Sequence, residues 1–231
     1  MKFPIRINKY LAERGISTRR GGDTLIEKGF VFINNKKAKL GDKVNEKDIV
    51  RIENENKLGY VYYAYYKPTG IVTVGAQGNE KEIKDVIPLH DVFPVGRLDK
   101  ETHGLIILTN DGRVTKQLLD HKLGYEKEYS VIVDKAITHT FLMNMLRGVD
   151  IKGSKTKRSK IRKVNQTMFE IVLTEGKNRQ IRRMCEALGF QVRDLKRFRI
   201  ENIELEKMKA GQYRKIEGKE LKDFLNILHI H

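Results

Sequence analysis

Apolar positions near the N-terminus fall at helical spacing. In IRINKYLAERGIS, Ile7, Tyr10 and Leu11 stand at i, i+3 and i+4, with Gly15 following as a stop signal. A second helix is predicted from about Arg20 to Lys28, closed by Gly29. The period then changes. In VFINNKKA, Val31 and Ile33 alternate with polar neighbours, and Asn34-Asn35 tolerates the left-handed conformation that a two-residue hairpin turn requires. The polar run ENENKLG at 53–59 separates this unit from an apolar aromatic stretch, so the boundary falls there: a small module at 1–58 and a larger domain at 59–231.

In the larger domain, Tyr60 to Tyr66 reads as a strand, and KPTG at 67–70 interrupts it before Ile71, Val72 and Val74 resume an extended pattern. Tyr62, Tyr63, Tyr65 and Tyr66 read as cross-strand packing groups rather than as stacking surfaces for a ligand. GLIILT forms a short buried strand ending in an Asn-Asp-Gly turn, and EYSVIVD, SKIRKV and MFEIVLT supply further strands. SKIRKV and the arginine before it carry a basic edge at Arg158, Lys160 and Arg162. In NRQIRRMCEALG, Ile181, Met184, Cys185 and Leu188 make one apolar stripe, which leaves Arg179, Arg182, Arg183 and Glu186 on the opposite face, and Gly189 ends the helix. The fold class is therefore α+β, with a small N-terminal module and a mixed, mainly antiparallel larger domain.

Charge narrows the partners. Across 231 residues, 46 Lys and Arg face 30 Asp and Glu, a net charge of +16, and the excess is spread along the chain. Residues 1–52 alone hold thirteen basic and six acidic residues, with Arg6, Lys9, Arg14, Arg19, Arg20 and Lys28 around the helix junction. Such clusters bind phosphates rather than bases. No run approaches the roughly 18 apolar residues of a spanning helix, and no basic amphipathic helix stands out, so nucleic acid is favoured over membrane. MKFPIRINKY has neither an apolar core nor a small-residue cleavage site, which gives a cytoplasmic expectation. A single cysteine, Cys185, has no thiol partner for a disulfide or a zinc site and reads as a buried structural residue. No metal and no cofactor are expected.

The richest stretch for chemistry is VGRLDKETHGLIILTNDG at 95–112, where Gly96 and Gly104 bracket a loop holding Arg97, Asp99, Lys100, Glu101 and His103. Charged loops beside a buried strand often hold catalytic groups. By residue type alone, Asp99 between Arg97 and Lys100 reads as an ion-paired surface carboxylate, and the arginines of NRQIRRMC as a solvated helix face.

Two resemblances change that weighting. RINKYLAERGISTRR followed by LIEKGFVFINNKKA resembles the S4 RNA-binding domain, in which two helices and a small sheet present basic residues to structured RNA. It departs from that pattern at Gly21-Gly22, since glycine in a helix interior costs up to about 1 kcal/mol relative to alanine. GRLDKETHGLIILTNDG is similar to the signature of the Rsu-type RNA pseudouridine synthases, in which the aspartate after Arg-Leu attacks the flipped nucleotide; that residue is Asp99.

The resemblance extends downstream. EKEYSVIV implies that Tyr129 lies against the target base, and TEGKNRQIRRMCEALGFQVRDLKRFRI implies that Arg182 pairs with the catalytic aspartate and that Leu195 closes the pocket. Arg97, Arg179 and Arg183, with Arg6, Lys9, Arg19 and Arg20 of the N-terminal module, are the expected RNA contacts. His103 is expected to be incidental. EKEYSV, NRQIRRMC and LKRFRIENI look closest to the F-type branch that acts on large-subunit ribosomal RNA. The implied activity is isomerisation of a ribosomal RNA uridine, with transfer RNA as a possible further substrate, by a monomer. The alternative is a noncatalytic RNA-binding or ribosome-assembly protein with the same charge. A methyltransferase is disfavoured because no glycine-rich loop follows a strand to cradle a nucleoside cofactor.

Overall fold

The computed structural model describes residues 1–14, 16–17, 19–53 and 59–230. The stop signal at Gly15 and most of the linker at 53–59 lie outside them, as does the side chain of Arg20. The N-terminal module runs β1 (Ile5–Arg6), α1 (Ile7–Glu13), α2 (Arg19–Glu27), β2 (Val31–Ile33), β3 (Lys36–Lys37), β4 (Lys43–Val44) and β5 (Val50–Ile52). Ile7, Leu11, Leu25, Ile26, Val31 and Val44 form its core. The Asn34-Asn35 hairpin is present, with φ of 49° and 66°, between β2 and β3. Gly21 and Gly22 fall inside α2. At Gly22 a Cβ would stand 3.2 Å from the Asn8 Cα, so this glycine lets α1 and α2 pack closely.

The larger domain continues with β6 (Tyr62–Lys67), α3 (Ile83–Val86), β7 (Phe93–Pro94), β8 (His103–Thr109), α4 (Gly112–Leu118), β9 (Lys127–Val133) and α5 (His139–Arg147). Then come β10 (Asp150–Ile151), β11 (Ser154–Lys155), β12 (Lys160–Lys163), β13 (Met168–Leu173), α6 (Gln180–Ala187), β14 (Val192–Ile200), β15 (Ile203–Glu204), β16 (Tyr213–Lys215) and α7 (Gly218–Ile227). Its main sheet has the order β12-β13-β9-β14-β8-β6-β16. The β14 to β8 pair is parallel and the other pairs along this path are antiparallel. One core cluster gathers α7 and α4 against β6 and β8 through Phe224, Leu228, Leu105 and Ile107; a second gathers α5 and α6 against β9 and β13 through Phe141, Met184, Val131 and Ile171. Among the described residues no helix is long and apolar enough to cross a membrane.

Two local expectations are corrected. Asn110-Asp111-Gly112 is not a free turn: Asp111 caps α4 by accepting from Arg113 N at 3.0 Å, and is fully buried where it also accepts from the Tyr62 hydroxyl at 2.8 Å. The strand read in SKIRKV begins only at Lys160, because Ser159 donates its hydroxyl to the Met145 carbonyl and is drawn inward.

Candidate active site

The register of the sheet sets out the site's floor. Lys67 on β6 lies opposite Gly104 on β8, Gly104 opposite Arg197 on β14, and Arg197 opposite Tyr129 on β9. Cross-strand partners project to the same face, so these four positions form one row across four strands. Leu195, two residues before Arg197, lies opposite Val131 and is buried in the same apolar cluster against which Tyr129 packs. Gly104 holds the row together. Its φ is +113°, and a Cβ there would fall 2.1 Å from the Arg197 carbonyl oxygen, so only glycine permits this approach of β8 to β14.

The loop carrying Asp99 leads directly into β8 and is pinned along its length. The Thr73 hydroxyl donates to the Leu98 carbonyl at 2.7 Å and accepts from Leu98 N at 3.0 Å. Thr102 N donates to the Asp99 carbonyl at 3.0 Å, and Gly70 N to the Lys100 carbonyl at 2.9 Å. A partly exposed Asp99 carboxylate is thus presented by a fixed backbone.

The arginines around it are arranged differently from the expectation. Among the described residues, the arginine within ion-pair range of Asp99 is Arg179, whose Nη1 is 4.0 Å from Oδ2 and 2.6 Å from Glu101 Oε2. Arg179 occupies a left-handed position (φ 50°) before α6, which takes it off the helix face. Its hydrogen bond holds the Glu101 carboxyl below the usual carboxylate range. Arg182 instead donates from Nη2 to the Glu101 carbonyl at 3.2 Å and the Thr102 hydroxyl at 3.4 Å, gripping the loop behind Asp99. Arg183 donates to Asn178 Oδ1 at 2.6 Å, while Arg97 is exposed.

Two cations of the row were not singled out in the sequence. Lys67 is completely buried, with Nζ donating to the carbonyls of Pro68 at 2.8 Å and Ile71 at 2.7 Å. Burial pushes its ammonium down to about 8, while Asp99 and Glu101 oppose that shift. Arg197 is 4% exposed and donates from Nε to the Leu105 carbonyl at 2.7 Å. The only signal for Lys67 was a lysine directly after an aromatic strand, in a segment that reads as punctuation.

His103 belongs to a hydrogen-bonded chain across three strands. Its Nε2 lies 3.0 Å from Asp194 Oδ1 and its Nδ1 lies 2.9 Å from the Tyr66 hydroxyl. A carboxylate only accepts, so Nε2 donates to Asp194, and Nδ1 is paired with the Tyr66 hydroxyl. In the N-terminal module, Arg6 and Arg19 are exposed, and Lys9 is 3.6 Å from Glu13 along α1.

Comparison with known proteins places the chain in a family. The family model described as RNA pseudouridylate synthase matches residues 61–187, and the S4 domain model matches residues 5–50. The chain is 42% identical over 230 residues to the dual-specificity RNA pseudouridine synthase RluF of Escherichia coli strain K12, covering 97% of this chain and 79% of that protein. It is 32% identical over 233 residues to the ribosomal large subunit pseudouridine synthase B of Bacillus subtilis, covering 94% of each. A solved structure described as a pseudouridylate synthase superposes with a TM-score of 0.71 at 25% identity, covering 97% of this chain and 99% of that one.

Proposed function

Because this chain belongs to the RNA pseudouridylate synthase family, we propose that it isomerises a specific uridine of large-subunit ribosomal RNA to pseudouridine, with Asp99 as the nucleophile. The observation that carries the residue assignment is a carboxylate on a loop clamped by Thr73, Gly70 and Arg182 that leads into β8, whose Gly104 lies in one row with Tyr129 and two buried cations. Family membership favours the enzyme over a noncatalytic ribosome-assembly protein.

The reaction breaks the bond from ribose C1′ to uracil N1, turns the base and joins C1′ to C5; N1 gains a proton and C5 loses one. Atoms and electrons balance without a cofactor. A stacked uridine is out of reach, so the nucleotide is extruded at a cost of a few kcal/mol, which phosphate contacts by the basic surface offset. Ionised Asp99 then attacks C1′, attacks uracil C6, or assists removal of the C2′ proton; these three routes share the same carboxylate. Arg179 and Arg182 keep the loop oriented, through Glu101 and Thr102. Tyr129 stacks on the detached uracil, worth about 1 to 3 kcal/mol, and Leu195 walls the pocket.

RNA is held outside the pocket by Arg97, Arg183 and the N-terminal cations Arg6, Lys9, Arg19 and Arg20. We assign residues 1–58 to RNA docking and 59–231 to catalysis, in a cytoplasmic monomer, with transfer RNA as a second substrate. Mapping pseudouridines in ribosomal and transfer RNA with and without the gene tests the reading. Large-subunit and transfer RNA sites that vanish on deletion and return on complementation support it; an unchanged map contradicts it.

A further inference from the structure

Residues 152–163, KGSKTKRSKIRK, contain seven Lys and Arg and no Asp or Glu. Four of these cations are occupied. Lys157 Nζ donates to the His121 carbonyl at 2.7 Å, Lys160 pairs with Glu126 at 2.7 Å, Arg162 pairs with Glu170, and Lys163 Nζ donates to the Ile137 carbonyl at 2.8 Å. Lys152, Lys155 and Arg158 are exposed, and among the described residues their side chains make no hydrogen bond or ion pair. The basic edge expected at Arg158, Lys160 and Arg162 is therefore redistributed: Lys160 and Arg162 are engaged with acids, and the unengaged charge sits on the β10–β11 hairpin and the strap that follows it.

This segment is built rigidly. Thr156 and Ser159 are buried between the exposed cations; the Thr156 hydroxyl accepts from Val149 N at 2.9 Å, and Ser159 is tied to Met145. Gly148 permits the approach, since a Cβ there would stand 2.3 Å from the Thr156 carbonyl oxygen. The hairpin is also fastened to the segment that leads into α6. Lys177 Nζ donates to the Ser154 hydroxyl at 2.8 Å and the Lys155 carbonyl at 3.1 Å. Buried Glu175 accepts both from Lys157 N at 2.9 Å and from Gln180 Nε2 at 2.8 Å, and Gln180 in turn accepts from Lys177 N. Gln180 is the first residue of α6, next to Arg179, which reaches Glu101 and Asp99.

We propose that the 152–158 arm is a phosphate-binding surface that grips the RNA backbone beside the extruded uridine, through Lys152, Lys155 and Arg158. This rests on the function proposed above. Cations left unengaged on a rigid scaffold lose little conformational freedom when they meet phosphates, and they contribute a sequence-independent, salt-sensitive share of binding. Because one hydrogen-bonded network joins this arm to the start of α6, RNA held here is registered against the loop that presents Asp99.

The test is the triple variant Lys152→Gln, Lys155→Gln, Arg158→Gln, compared with wild type and with the ion-paired control Lys160→Gln. RNA affinity is measured by filter binding from about 50 to 300 mM salt, and activity by tritium release from C5-labelled ribosomal RNA. We expect the triple variant to bind at least tenfold more weakly, with a slope of log K against log salt reduced by about two to three, and the control to lose less than threefold. Thermal unfolding within about 2 °C of wild type confirms an intact fold. A folded triple variant with unchanged affinity and slope overturns the proposal. If wild type itself releases no tritium from any RNA, it is the proposed function that fails, and the binding comparison still decides on the arm.

Discussion

Gly104 stands where a side chain would collide with the Arg197 backbone at a φ that L residues avoid. Gly104→Ala is expected to destabilise the protein by about 3 kcal/mol or more, read by urea denaturation; a loss under 1 kcal/mol contradicts the close approach. Lys67 gives a prediction in pH. Its folded value of about 8 lies below the ordinary 10.5, so between those values the unfolded chain binds more protons and folding stability contributed by this group rises with pH. Relative to Lys67→Met, the wild type should gain up to about 3 kcal/mol between pH 8 and 10.5; a gap that does not change with pH contradicts it. Burial pushes the Cys185 thiol up to about 12, so at pH 8 roughly one molecule in ten thousand carries the thiolate. Disulfide-exchange reagents should leave the native protein unlabelled and react fully in guanidinium; rapid native labelling would refute this. Asp99 stands out as a candidate in the sequence because a long motif surrounds it. Lys67 and Arg197 do not, because what makes them informative is burial by strands far away in sequence.

The elements were legible where their determinants are local. The apolar stripe of NRQIRRMC and the Asn34-Asn35 turn each reappear in place, since spacing and turn chemistry fix them within a few residues. Arg179 was assigned to the helix face by the same periodicity, yet its left-handed backbone places it before the helix and over the Asp99 loop. Asp111 looked like part of a turn for the reason that it makes a good cap: a short acceptor beside free backbone N–H groups. Only the structure shows it buried beneath Tyr62 and Arg113. Asp111→Ala removes the cap of α4 and leaves the Tyr62 hydroxyl without its acceptor, so a loss of about 2 to 4 kcal/mol is expected from thermal or urea unfolding; a change below 1 kcal/mol would show that the cap carries no weight.

Across the whole molecule, the sequence supplied the two modules and the α+β class, but not the strand order. The parallel contact of β14 with β8 joins Arg197 to Gly104, and no local pattern announces a pairing between segments so far apart. That pairing sets β8, which follows the Asp99 loop, beside β14, which on its other edge pairs with the strand of Tyr129, while Arg182 reaches the same loop from α6. The proposed isomerisation of uridine through the Asp99 carboxylate is tested most directly by single-turnover tritium release from C5-labelled ribosomal RNA by wild type and by Asp99→Asn. Asparagine keeps the shape and removes the nucleophile, so wild type should release tritium stoichiometrically with the target uridine while the variant binds the same RNA and falls by at least about a thousandfold, some 4 kcal/mol of barrier. Release by a folded Asp99→Asn protein within tenfold of wild type would contradict the assignment.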